Sequence, residues 1–313
     1  MLRFGEQFDP PGRSIGWNEL RDLARQAEAV GFDTLWVDDH FLYDAAPLVQ
    51  EGAGPRGFWD AWMLLAGLAN ATSRVRLGPL VTCTSYRNPA LLAKMADTLD
   101  EMSGGRLILG LGAGWHAPEY RAFGYPFDHL ASRFEEALSI IVPLLRTGEV
   151  DFEGRYYQAR ECQLRPRGPR ATGPAIWIGA NGPRMLRQVA RHADAFNAVW
   201  HLTPESITAR FERLEDACRE VGRDPRTIRR TAGSYVALLG GPPPARQMRP
   251  TMRGTPEEVA AKLQAFAPLG IDHMTLSVEP WSSQGIELCG RVIEELRRLE
   301  ASSLHRQCAD RPA

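Results

Sequence analysis

"GGRLILGLGAGWHAPEY", Gly104 to Tyr120, runs an apolar strand, Leu107 to Leu111, into glycines at alternating positions, Gly110, Gly112 and Gly114, and then into Trp115-His116. Two common explanations of such a run fail. A dinucleotide fingerprint needs G-x-G-x-x-G, whereas Trp115 stands where the third glycine should be. No G-x-S-x-G elbow of an α/β-hydrolase occurs anywhere in the chain. Pro118 is expected to delay any following helix. Three bare positions at a strand end offer close backbone approach to a flat ligand, with amides unobstructed by Cβ atoms. Crowding inside a closed sheet explains one such glycine readily and all three poorly.

Working outward, this strand is the fourth of eight. Apolar runs are read near Leu2 to Phe8, Thr34 to Val37, Val75 to Val81, Leu107 to Leu111, Ala175 to Ile178, Ala195 to Val199, Arg230 to Leu239 and His273 to Val278. Helical periods fall between them: Asn18 to Val30, Trp59 to Ala71, Pro89 to Met102, Ala131 to Arg146, Pro183 to His192, Pro204 to Val221, Pro256 to Leu269 and Gly285 to Leu299. Thr203-Pro204 and Thr255-Pro256 place a capping hydroxyl before a first-turn proline. Eight alternations without a second composition regime predict an α/β fold, a (β/α)8 TIM barrel spanning 1–313 as one domain; a doubly wound sheet is the alternative. An insertion at about 116–172 contains "VDFEGRYYQARECQLRPRGPR", a small hairpin and an Arg/Pro loop outside the barrel, and a lid loop is expected at about 240–254. "FWDAWMLLAGLANA" and "PALLAKMADTLDEM" are too apolar for helices with one solvated face, which points to burial by a second subunit or under the insertion.

The 313 residues carry a formal net charge of -1 without long runs of like charge, so neither nucleic acid nor an anionic membrane is expected as a partner; a small organic molecule is. Five scattered cysteines without a C-x-x-C pair argue against a disulfide framework or zinc ribbon. The start "MLRFGEQFDPPG" lacks an export signal and no long apolar run spans a membrane, so a cytoplasmic location is expected. Only Lys94 and Lys262 among 37 basic residues are lysine, a bias that accompanies GC-rich coding.

Barrel enzymes keep their reactive groups at the carboxyl ends of the strands. Both lysines lie on helices, which disfavours Schiff-base chemistry. The histidines show no ligand spacing, so no metal is implied. Glycoside hydrolysis needs two carboxylates across a cleft, for which Glu6, Asp38, Asp39 and Glu279 are available. "AIWIGANGPRML" ends a strand in Gly179-Ala180-Asn181-Gly182, and Pro183 opens a helix bearing Arg184 and Arg187, an arrangement suited to a phosphate. In "LWVDDHF" a carboxylate next to His40 is able to hold its tautomer and tune it for proton transfer.

These segments, with "RLGPLVTCTSYRNPALLAKMADTLDEMSGGRLILGLGAGWHAPEYRAFGYPF", closely resemble the bacterial luciferase-like monooxygenase superfamily, specifically its coenzyme F420-dependent oxidoreductase branch; "FEGRYYQ" and "WIGANGPR" are further characteristic pieces. The resemblance covers nearly the whole chain and implies a luciferase-like (β/α)8 barrel holding F420 or, alternatively, FMN at the strand ends. It implies that Asp39 and His40 lie by the reactive ring, with His40 the catalytic proton donor or acceptor. Thr82, Gly112, Ala113 and Gly114 would touch the ring, and Gly179, Ala180, Asn181, Gly182 and Arg184 would form the phosphate turn. A cis non-prolyl peptide of the family maps onto Pro79-Leu80. Phe8, Trp115, Trp200 and His201 would line the substrate pocket.

Sugar-phosphate dehydrogenases of this branch carry an acidic residue directly after G-x-G and bind phosphate with lysines. Trp115 and the scarcity of lysine therefore argue against glucose 6-phosphate. The resemblance implies an F420-dependent hydride transfer to or from a small organic substrate, or an FMNH2-dependent oxygenation that would call for a flavin reductase partner; a homodimer is expected. A non-catalytic flavin-binding protein and a glycoside hydrolase are the more remote alternatives.

Overall fold

The computed structural model describes residues 2–4, 15–43, 56–201, 203–241, 251–278 and 282–309. In chain order the strands are β1 (Leu2–Phe4), β2 (Thr34–Val37), β3 (Leu42–Tyr43), β4 (Arg56–Gly57), β5 (Arg76–Pro79), β6 (Thr82–Cys83), β7 (Ile108–Gly112), β8 (Glu149–Glu153), β9 (Gln158–Gln163), β10 (Ala175–Gly179), β11 (Ala195–Val199), β12 (Arg229–Leu238), β13 (Thr251–Gly254) and β14 (Ile271–Val278). The helices are α1 (Trp17–Val30), α2 (Ala61–Ala71), α3 (Pro89–Met102), α4 (Ala117–Phe123), α5 (Leu130–Thr147), α6 (Pro183–His192), α7 (Pro204–Val221), α8 (Pro256–Gln264) and α9 (Ser283–Ala309).

The main sheet runs β5-β2-β1-β14-β12-β11-β10-β7-β6, every neighbour parallel. Its two ends are one strand interrupted: β5 and β6 are separated only by Leu80 and Val81, and Leu77 also bridges to Leu107 at the foot of β7. The sheet therefore closes into the expected barrel. The cis peptide lies at Leu80–Val81, one residue beyond the expected Pro79-Leu80. The reason is the ladder: Pro79 pairs with Val37 and the Leu80 amide donates to the Val37 carbonyl at 2.9 Å, so regular pairing with β2 persists through Pro79.

Period-two alternation sorts the strands into two cores. Leu35, Ile176, Ile178, Met274, Leu276 and Val278 face the helices and join the large aliphatic core. On the inner face Trp36 and Trp177 pack with ring centroids 5.3 Å apart, and His273 stands edge-on to Trp177 at 5.3 Å. All three are at most 4% exposed, and with Ile108 and Ala195 they close the foot of the barrel. One inward position further along, Trp177 gives way to Gly179 and Ala195 to Asn197, and the interior opens.

The insertion forms its own antiparallel hairpin, β8 with β9, as read from the sequence. Pro118 does not delay a helix: it occupies the first turn of α4, where its missing N–H costs no hydrogen bond. The expected helix over Pro256 to Leu269 stops at Gln264, and Pro268 lies in a separate 3-10 turn, Ala267–Leu269. Thr255 builds a capping box with Glu258, while Thr203 makes no side-chain cap. Met63 on α2 and Leu91 on α3 project into solvent, leaving apolar side chains on the outer faces of both helices. Phe8 and the middle of the lid loop, 242–250, lie outside the described residues.

Candidate active site

A cavity of about 920 Å3 opens at the carboxyl ends of the strands, the size and position expected of a cofactor and substrate site in this architecture. It gathers Asp39, His40, Leu80, Gly112, Ala113, Gly114, Trp115, Gly179, Ala180, Asn181, Gly182 and Trp200 from the positions singled out in the sequence. Pro79, Thr82, Arg184 and His201 are not part of its lining, and Phe8 lies outside the described residues.

His40 follows β2 and turns its Nδ1 to Glu119 Oε2 at 2.8 Å. Glu119, on α4, is fully buried. Its Oε1 accepts the Phe41 and Leu42 amides, and its Oε2 also accepts the Tyr86 hydroxyl at 3.1 Å. For Glu119 burial works to raise the pKa, but the hydrogen bond and charge of His40 and the two amides outweigh it and hold the carboxyl below its ordinary range. For His40 burial works to lower the pKa; the Glu119 hydrogen bond and the charges of Asp38, Glu119 and Asp39 prevail, and the imidazolium persists above its ordinary 6.5. The carboxylate that holds Nδ1 is thus Glu119, a residue 79 positions away, while the adjacent Asp38 and Asp39 that the sequence suggested act on His40 through their charge.

Asp39 has a structural task. Its carboxylate pairs with both terminal nitrogens of Arg87, at 2.7 and 3.0 Å, and accepts the Cys83 amide, tying the end of β2 to β6. Cys83 also lines the cavity, with Sγ 3.0 Å from the Tyr120 hydroxyl. Burial pushes its thiol up to about 12, so it is a neutral wall and not a thiolate. Thr82, on the opposite face of β6, is fully buried away from the cavity.

The glycines of β7 are explained by crowding after all. A Cβ on Gly110 would strike the Pro79 carbonyl oxygen, one on Gly112 would lie 2.6 Å from Val81 Cγ2, and one on Gly114, at φ +83°, would strike the Tyr120 hydroxyl. The interrupted strand bulges against β7, so each glycine answers a packing demand. Gly112 and Gly114 line the cavity as well; Gly110 lies at the level of Trp177, below it.

At the opposite side of the mouth, Asn181 and Gly182 lead into α6, whose N-cap, Gly182, supplies no side-chain acceptor to the first-turn amides. Arg184 makes a bidentate pair with Glu135 of α5, 2.8 and 2.6 Å, and donates to Ser132. The cation facing the cavity on this side is instead Arg210 of α7, which has no carboxylate partner among the described residues. His201 is buried behind the wall with Nδ1 3.0 Å from Ser206 Oγ, and burial, with Arg210 nearby, lowers its pKa. Trp200, at φ +67°, stacks on Tyr235 with centroids 4.2 Å apart. Trp115 is 60% exposed at the rim, edge-on to His40 at 5.8 Å.

Sequence reasoning missed Glu119, Tyr86, Asn197 and Arg210. For Glu119 the signal was present: Ala117-Pro118-Glu119 is a helix start with an acidic third residue. Among the described residues no cluster of three His, Cys, Asp or Glu side chains is placed to hold a metal ion, and no helix is long and apolar enough to cross a membrane.

The family model described as luciferase-like monooxygenase matches residues 1–249. The chain is 31% identical over 280 residues to the phthiodiolone/phenolphthiodiolone dimycocerosates ketoreductase of Mycobacterium bovis (strain BCG / Pasteur 1173P2), an alignment covering 85% of this chain and 69% of that protein. It is 34% identical over 213 residues to pyrimidine monooxygenase RutA of Enterobacter sp. (strain 638), covering 64% and 56% of the two chains. An F420-dependent secondary alcohol dehydrogenase, solved with an F420-acetone adduct, superposes with a TM-score of 0.75 at 21% identity, over 90% of this chain and 96% of that one. With the closed barrel and its strand-end cavity, these matches establish that the chain is an enzyme belonging to the luciferase-like monooxygenase family.

Proposed function

We propose that the protein is an F420-dependent oxidoreductase that moves a hydride between the deazaflavin and a small organic alcohol or carbonyl compound. The observation that carries this reading is the His40–Glu119 pair opening onto the cavity: an imidazolium kept charged above its ordinary range suits delivery of a proton to a carbonyl oxygen as it is reduced. The ketoreductase similarity and the arginine-rich composition add support.

The residues fit such a cofactor. Gly112, Ala113, Gly114 and Gly179 offer bare backbone beside the Leu80–Val81 bulge, and Asn197 contributes a buried amide oxygen with no partner. Asn181, Gly182, the first turn of α6 and Arg210 would hold the phosphate. The group supplies or accepts the hydride when bound. Glu119 holds Nδ1, so the proton transferred is the one His40 carries on Nε2. Trp115 and Trp200 would bound the space left for substrate. We also propose that the enzyme works in the cytoplasm as a homodimer, joined through the exposed apolar faces of α2 and α3, without nucleic acid or membrane as a partner.

The similarity to a pyrimidine monooxygenase favours a second reading, an FMNH2-dependent monooxygenase supplied by a flavin reductase. Titrating the purified protein with F420 and with FMN, following ligand fluorescence, separates the two. The proposal expects tighter F420 binding and substrate turnover without oxygen; preferential FMN binding with substrate-dependent oxygen consumption overturns it.

A further inference from the structure

We propose that Asn197 reads the imide edge of the cofactor ring, its side-chain oxygen accepting the ring N3–H while its amide nitrogen donates to a neighbouring ring carbonyl. The inference rests on the cofactor reading above and assigns a recognition residue within it. Asn197 faces inward from β11, one position above the layer of Trp177 and Ala195 that closes the barrel foot. It is 6% exposed, lines the cavity, and its Oδ1 is buried with no hydrogen-bond partner. A buried amide left in this way is costly unless a ligand or water completes it.

Its surroundings define which ligand. Gly179 is its register partner on β10, and a Cβ there would lie 3.8 Å from Asn197 Nδ2 and 3.9 Å from Val81 Cγ1. The bare glycine thus sits between a polar amide and an apolar methyl, space suited to a flat ring whose face rests on Val81 and whose polar edge meets Asn197. A primary amide presents one donor and one acceptor side by side. The pyrimidinedione of flavins and deazaflavins presents the complement, N3–H flanked by two carbonyls. The inward hydroxyls of Thr34 and Thr275, which also make no hydrogen bond, do not line the cavity.

The test measures binding, by fluorescence quenching, of the deazaflavin riboside and riboflavin, each beside its N3-methyl derivative, to wild type, Asn197→Ala and the near-isosteric Asn197→Asp. Wild type is expected to bind the N3-methyl rings at least about tenfold more weakly, because a site built around a hydrogen bond rejects the analogue that lacks it. In Asn197→Ala the methylated and unmethylated rings should bind about equally. Asn197→Asp, which cannot donate, should lose about fivefold or more for the unmethylated ring. A methyl penalty that is absent in wild type, or that persists in Asn197→Ala, overturns the inference and leaves the cofactor reading standing. Failure of wild type to bind any of these rings or F420 overturns both.

Discussion

The two sides of the cavity mouth are built on opposite principles. Around His40 the acceptors are taken up by the protein: Glu119 receives the imidazole, the Tyr86 hydroxyl and two backbone amides, and Asp39 receives Arg87 and the Cys83 amide. Around α6 polar groups of the cavity wall are left without protein acceptors or donors: the Asn197 amide oxygen has no hydrogen bond, the Arg210 guanidinium has no carboxylate partner among the described residues, and the amides after Gly182 have no side-chain cap. The difference matches the roles proposed for the two sides. Chemistry at a proton donor demands a fixed tautomer and orientation before substrate arrives, whereas a binding surface needs donors that a ligand can complete.

Removing the fixed side should cost most. His40→Ala is expected to lower kcat by about 10²- to 10⁴-fold while leaving F420 affinity within about twofold of wild type, a split that fluorescence titration and turnover assays resolve; unchanged turnover would end the proton-transfer role. Gly114→Ala attacks the same side through packing, since the new methyl meets the Tyr120 hydroxyl at a positive φ. It should lower unfolding stability by about 2–5 kcal/mol, read from denaturant midpoints; a neutral midpoint would show that Tyr120 yields easily.

Glu119→Gln retains the shape and removes the charge that holds His40 protonated. Because the His40 pKa is raised, the rate of carbonyl reduction should be full at low pH and fall as pH rises through a value above 6.5. The variant should move that fall to lower pH and reduce kcat/KM by about tenfold near neutrality. A profile unmoved by the substitution would assign the limb to another group. The smallest effects belong to the arginines and set the two sides apart: Arg210→Met should weaken FMN relative to riboflavin by about tenfold, and Arg184→Met by no more than about twofold, because its guanidinium already answers Glu135. The reverse order, measured with the same two ligands, would return the phosphate to Arg184.

What the sequence made legible follows from how locally each feature is encoded. Eight alternations of period two with period 3.6 revealed the barrel, and Pro89, Pro183 and Pro204 marked helix starts to the residue because proline is favoured in the first turn, although Pro143 shows that it also occurs inside a helix. Pro118 carried the same signal and was misread as a delay, which hid α4 and with it Glu119. His40 was legible from its place after β2; its partner was not, because a contact between residues 79 apart exists only once the sheet has closed. Arg184 was singled out by charge next to a phosphate-like turn, yet the insertion supplies Glu135 to consume it. Asn197 sits in an otherwise apolar strand, "AFNAV", and its inward phase was the sole clue.

The Trp36–Trp177–His273 layer gives the molecule a direction in time as well as in space. The foot of the barrel is closed by side chains at most 4% exposed, and among the described residues the cavity opens at the strand ends, where Trp115 stands at the rim. On the proposed reading, a ring seated next to Asn197 would arrive before the compound it reacts with and depart after the product. Steady-state kinetics should show an ordered mechanism, with the deep ligand trapped for as long as the shallow one remains.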